Sequence, residues 1–134
     1  MSSENVRSLY EAEPVSGIQE PCVLIRIPRL WYPEIKPAEL MAVTSMWWVC
    51  SPNKHNAKYA LAVSGGVIRA AYQIAGWRER KKPDNGWQED VGKKPRWGFP
   101  DGCEEAPEMS HYLSRSVKHL LKKGAANPIM WLNC

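Results

Sequence analysis

The densest chemistry in the sequence lies between Trp77 and Trp97, where Arg78, Arg80, Lys81, Lys82, Lys93, Lys94 and Arg96 gather. Glu79, Asp84, Glu89 and Asp90 share the span, so seven cations against four acids leave +3 of a whole-chain net charge of +4. Cations on an exposed loop contact phosphates, and aromatic residues flanking them offer stacking faces to unpaired bases. A solvated charged loop accounts for the same residues without any ligand.

Tryptophan is over-used: there are seven, against one phenylalanine. Within Ser45-Met46-Trp47-Trp48 the two neighbouring indoles point to opposite faces if the segment is extended. One then faces the core, and the other lines a groove or covers a helix. As a groove wall it would hold a flipped or single-stranded base; as a rim residue it would only pack. His55, with Lys54, Asn56 and Lys58, forms a polar cluster able to hydrogen-bond a phosphate or a base edge, or simply to end a helical turn.

Catalytic patterns are missing. There is no G-x-S-x-G elbow, Walker loop, H-E-x-x-H or dinucleotide fingerprint, so no cofactor is expected. Glu104, Glu105 and Glu108 lie near His111, which leaves acid–base work by a small hydrolase or transferase as a reading, with His55 as the other candidate. His111 and His119 are about 12 Å apart if helical, too far to share a metal. Cys22, Cys50, Cys103 and Cys134 make no C-x-x-C pair. Cys50 with His55 is the nearest approach to a zinc site and falls short of its spacing, so free thiols are expected and no metal.

These residues need a scaffold. Cys22 to Ile27 is β-branched and apolar, a first strand stopped by Pro28. Pro37 opens a short helix over 38–43, with Glu39 in its first turn. The clearest signal runs from Lys58 to Trp77: two β-rich runs divided by Gly65-Gly66, a hairpin with a primed turn. Both strands are apolar on both faces over much of their length, which suggests a central pair in a sheet or small barrel covered on one side by helix. Residues 78–96 read as a long exposed loop. Arg96 to Phe99 reads as a short strand, 107–123 as a helix with a weak point at Leu113-Ser114, and 128–133 as a closing strand. Residues 1–20 read as a polar tail or docked arm, and 21–134 as one domain.

The length of 134 residues suits one domain with its own core. No apolar run is long enough for a membrane span, and Met1 to Tyr10 shows no signal-peptide core, so a cytoplasmic protein is expected.

Trp48, the Lys58–Val63 run, Gly66-Val67-Ile68-Arg69, Tyr72, Trp77, Trp97-Gly98-Phe99, Tyr112, Asn127-Pro128-Ile129 and Asn133 together resemble the PUA-like class of small bacterial domains, such as ASCH and EVE. Similar domains occur fused to nuclease modules of the GIY-YIG type. The resemblance spans about residues 22–133. It implies a curved β-barrel with flanking helices, and binding of RNA or a modified base in an aromatic cleft. That cleft would lie between Trp47-Trp48 and the loop after Trp77. The 78–96 insertion departs from the pattern.

The expectation is an α+β domain: a curved, mostly antiparallel sheet or partly open barrel of five or six strands with two or three helices. Its expected role is nucleic-acid binding, through Ser45, Trp47, Trp48, Lys54, His55, Arg69, Trp77, Arg78, Arg80, Lys81, Lys82, Trp97 and Asn127. Ser45 or Asn127 would be the polar reader of the base. Exposed Trp and Arg also suit a protein-interaction module.

Overall fold

The computed structural model describes residues 13–27, 31–80, 95–121 and 128–134. Strand β1 (Cys22–Arg26) is buried along nearly all its length, as an apolar run covered on both faces should be. Helix α1 (Pro37–Ser45) starts on proline with Glu39 in its first turn, and ends where Met46 turns extended. The Thr44 hydroxyl donates to the Leu40 carbonyl at 2.7 Å, which lets a buried threonine sit inside the helix. A single 310 turn (Pro52–Lys54) precedes the hairpin of β2 (Tyr59–Ser64) and β3 (Val67–Ile74). Gly65 and Gly66 both take positive φ, +62° and +74°, as a primed turn demands.

Next come β4 (Arg78–Glu79), β5 (Trp97–Gly98), β6 (Cys103–Glu105), a 310 segment (Pro107–Tyr112) and β7 (Ile129–Leu132). Five strands form one sheet in the order β6-β3-β2-β1-β7, and β4 pairs with β5 in a separate ribbon. β1 and β2 are parallel, and every other pair is antiparallel. The parallel pair requires a crossover, and α1 lies within it. Among the described residues the sheet ends in β6 and β7 and does not close into a barrel.

Alternation along the strands builds two cores. Cys22, Leu24, Leu61, Val63, Ile68 and Ala71 face one side, where Val15, Ile18, Met109, Tyr112 and Val117 cover them. Val23, Ile25, Ala60, Ala62, Tyr72 and Ile74 face the other, beneath α1 and most of the aromatic residues. Ala62 pairs with Ala70 but Val63 with Ile68, so Arg69 is the extra residue of a β-bulge.

Two expectations change, and one alternative is decided for the residues described. The helix expected over 107–123 is a 310 segment that stops at Tyr112, followed by a turn in which Ser114 has φ +66°. Ser114, Ser116 and Val117 then bond to Ile68, Glu13 and Gly66, so backbone partners elsewhere replace helical ones. There is therefore one α-helix with two 310 segments among the described residues. The loop expected over 78–96 begins and ends as the β4–β5 ribbon, and 81–94 lies outside the described residues. Of the expected arm, residues 13–20 are docked: the Val15 amide donates to the Ser116 carbonyl at 2.9 Å, and Val15 and Ile18 are buried.

Candidate functional site

The segment after α1 is clamped to the ribbon. Trp48 and Trp97 exchange two backbone hydrogen bonds of 2.7 Å each, and the Phe99 amide donates to the Ser45 carbonyl at 2.8 Å. Glycine at 98 makes this approach possible: a Cβ there would sit 2.5 Å from the Ser45 carbonyl oxygen and 2.9 Å from the Trp47 ring. Trp47 thus lies against Gly98, and the Arg78 guanidinium sits 4.8 Å from the centroid of its ring. Arg78 also pairs with Asp101. Arg96 donates to the Trp47 carbonyl at 3.3 Å, and the Arg80 amide to the Arg96 carbonyl at 2.8 Å. The Trp47 Nε1 is buried with no acceptor among the described residues.

Below the ribbon the aromatic residues pack on one another. Trp77 meets Phe99 edge-on at 4.8 Å and tilts against Trp131 at 5.6 Å. His55 lies flat on Trp131, with centroids 4.2 Å apart and planes 6° apart. Its Nδ1 is 3.2 Å from the main-chain oxygen of Cys134, a second restraint on the ring. Beside this stack opens a cleft of about 550 Å³ lined by Val49, Cys50, Lys54, His55, Pro95 and Trp131, among others. A parallel stack on Trp131 fixes the plane of the imidazole at the cleft wall, and Lys54 stands exposed at the same wall.

The expected site residues therefore divide. Trp47, Trp48, Trp77, Arg78, Arg80 and Trp97 gather around the ribbon, and Lys54 and His55 line the cleft beside it. The Trp48 indole donates to the Thr44 carbonyl at 2.8 Å and packs on the core, which is the packing reading of that residue. Ser45 is buried and its hydroxyl donates to the Ala42 carbonyl at 3.2 Å, so it faces no groove. Arg69 lies on β3, three strand spacings or about 14 Å from β7. Lys81, Lys82 and Asn127 lie outside the described residues. Trp131 escaped the sequence reading. It looked like one apolar residue of a closing strand, and its partner His55 is remote along the chain.

The thiols of Cys22, Cys50 and Cys103 are poor nucleophiles. Burial pushes Cys50 and Cys103 each up to about 11, and Cys22 up to about 12 with help from Cys134 and Glu20. All four cysteines are free, and among the described residues no group of three ligating side chains could hold a metal. His111 is exposed, with its ring against Tyr112. Among the described residues no side-chain carboxylate bonds to His55 or His111, so neither has the orienting partner a general base uses. No helix among the described residues is long and apolar enough to cross a membrane.

No family model, curated protein or solved structure matches the chain.

Proposed function

We propose that this chain binds single-stranded nucleic acid and seats an unpaired or modified base in the cleft beside the His55–Trp131 stack. The observation that carries the reading is that stack at the wall of an open cleft, with Lys54 on the lining and Arg96 next in sequence to the lining residue Pro95. A base entering the cleft extends the stack from the imidazole. Lys54 on one side, and Arg80 and Arg96 on the ribbon, meet the flanking phosphates. Bound water or main-chain groups of Val49, Cys50 and Ser51 supply the polar edge that Ser45 does not.

The test is fluorescence titration of the full chain with short single-stranded DNA and RNA and with duplexes, at two salt concentrations. Stacking on an aromatic platform contributes about 1–3 kcal/mol per base, so His55→Ala should weaken binding by roughly 5- to 160-fold. Three phosphate contacts on a single strand give a log–log salt slope of about −2, or about 20-fold between roughly 50 and 200 mM salt. Lys54→Ala, at an exposed position, should flatten that slope by about 0.7. Salt-insensitive binding, or equal affinity in His55→Ala with the fold intact, would overturn the proposal. No response to any oligonucleotide would overturn it too, and favour a protein partner.

A further inference from the structure

A second cleft, of about 340 Å³, opens on the β3 side of the sheet between α1, β3 and the Pro107–Tyr112 segment. Its walls are mostly apolar: Ile35, Leu40, Ala70, Tyr72, Ala106 and Leu113. Leu113 is 38% exposed at the rim, one of few large apolar side chains the described surface leaves open. The volume lies at the small end of the range for ligand pockets, which combine apolar walls with a few placed polar groups.

Two charged groups stand out there, Arg69 and Glu105. Arg69 is the bulged residue of β3, and bulges re-aim side chains. Its guanidinium lies 4.0 Å from the Trp31 ring centroid, and its Nε donates to the Ser64 carbonyl at 3.2 Å. The guanidinium is thus held in orientation, half-buried, and without a carboxylate partner among the described residues. Burial draws its pKa down. Tyr72, 2% exposed, lines the cleft from β3. Glu105, on β6, lines the same cleft and is exposed.

We propose that this cleft binds a small amphipathic carboxylate, its apolar body against Leu40, Tyr72 and Leu113 and its carboxylate at Arg69. A fixed guanidinium matches the two oxygens of a carboxylate, and an already restrained one loses little freedom on binding. One cation, with Glu105 also on the lining, selects a monoanion over a doubly charged phosphate. The site is distinct from the base cleft across the sheet and does not depend on it.

The full chain is titrated with 3-phenylpropionate and with the uncharged 3-phenylpropionamide, by calorimetry and saturation-transfer NMR. The acid should bind at least about tenfold tighter than the amide, as charge-assisted hydrogen bonding implies. Arg69→Met keeps the stem and loses the charge, and should bring the acid down to the amide. Arg69→Lys keeps the charge without the planar fork, and should retain only part of the preference. Leu113→Asp, at the exposed rim, should weaken both compounds. Oligonucleotide affinity should be unchanged in Arg69→Met, which separates this site from the proposed base cleft. If Arg69→Met does not fold, the Arg69→Lys and Leu113→Asp pair decides. Equal binding of acid and amide overturns the proposal, as does an acid preference that survives in the Arg69 variants. Absence of binding up to about 10 mM, below what a fragment of this size should reach in a matching pocket, overturns it as well.

Discussion

Gly98→Ala probes the join between α1 and the ribbon. The added methyl would lie 2.5 Å from the Ser45 carbonyl oxygen and 2.9 and 3.0 Å from two carbons of the Trp47 ring. The first neighbour is backbone at the end of a helix and cannot swing aside. To regain van der Waals distance, β5 must withdraw by most of an ångström. Three backbone hydrogen bonds cross that gap: the two between Trp48 and Trp97, and the one from Phe99 to Ser45. Each contributes about 0.5–1.5 kcal/mol net, and overpacking alone costs about 1–3 kcal/mol. Relief through partial loss of those bonds therefore predicts a destabilisation of about 2–4 kcal/mol. Urea unfolding followed by tryptophan fluorescence measures it. Gly17→Ala is the control, since a Cβ there meets nothing within 4 Å and should change stability by less than about 0.5 kcal/mol. A change at Gly98 no larger than that at Gly17 would refute the reasoning, because the join would then be slack. Oligonucleotide affinity should fall in the same variant, since Pro95 and Arg96 follow the displaced strand.

Two further predictions concern single side chains. The Cys22 thiol is raised from 9.0 to about 12, chiefly by burial, so the neutral thiol is the form the fold holds. Its contribution is complete below about pH 9 and is lost as pH rises towards 12, because the unfolded chain ionises first. Wild type should lose about 1–2 kcal/mol more than Cys22→Ala between roughly pH 8 and pH 10.5, read as urea midpoints, and parallel curves would contradict the assignment. Ser45→Ala removes a hydroxyl that bonds within its own helix, so stability should change by less than about 1 kcal/mol. Oligonucleotide affinity should not change; a tenfold loss would return Ser45 to the site.

What could be read from the sequence was local. The hairpin was legible because Gly65-Gly66 alone satisfies two successive positive φ angles between β-branched runs. The first strand, the helix opened by Pro37 and the closing strand were legible for similar reasons, each carrying its own punctuation. The stretch after Pro107 misled because Met109 and Tyr112 are three apart, a spacing that a 310 turn shares with an α-helix. Val117 continued the pattern by coincidence: it is buried through a bond to the Gly66 carbonyl in the hairpin turn. β6 carries two glutamates in three residues and gave no apolar signal. The candidate site was legible by halves. Lys54 and His55 drew notice as a polar cluster, but the imidazole's platform comes from β7, and no short-range pattern links the two. Arg69 drew notice in the strand after the glycine turn and as a candidate nucleic-acid contact, but not as a bulge, because a bulge is a property of strand pairing and not of one strand.

The position of β7 bears on how the chain is made. β1 lies between β2 and β7, paired in register from Cys22↔Leu132 to Ile25↔Ile129 on the β7 side. During translation the hairpin and its parallel neighbour can assemble long before Ile129 leaves the ribosome. Through that interval β1 presents a bare hydrogen-bonding edge flanked by Val23 and Ile25, and nascent-chain edges of this kind recruit other strands. Chaperone capture during synthesis should therefore concentrate on the stage just before residues 129–132 emerge, and end once they dock.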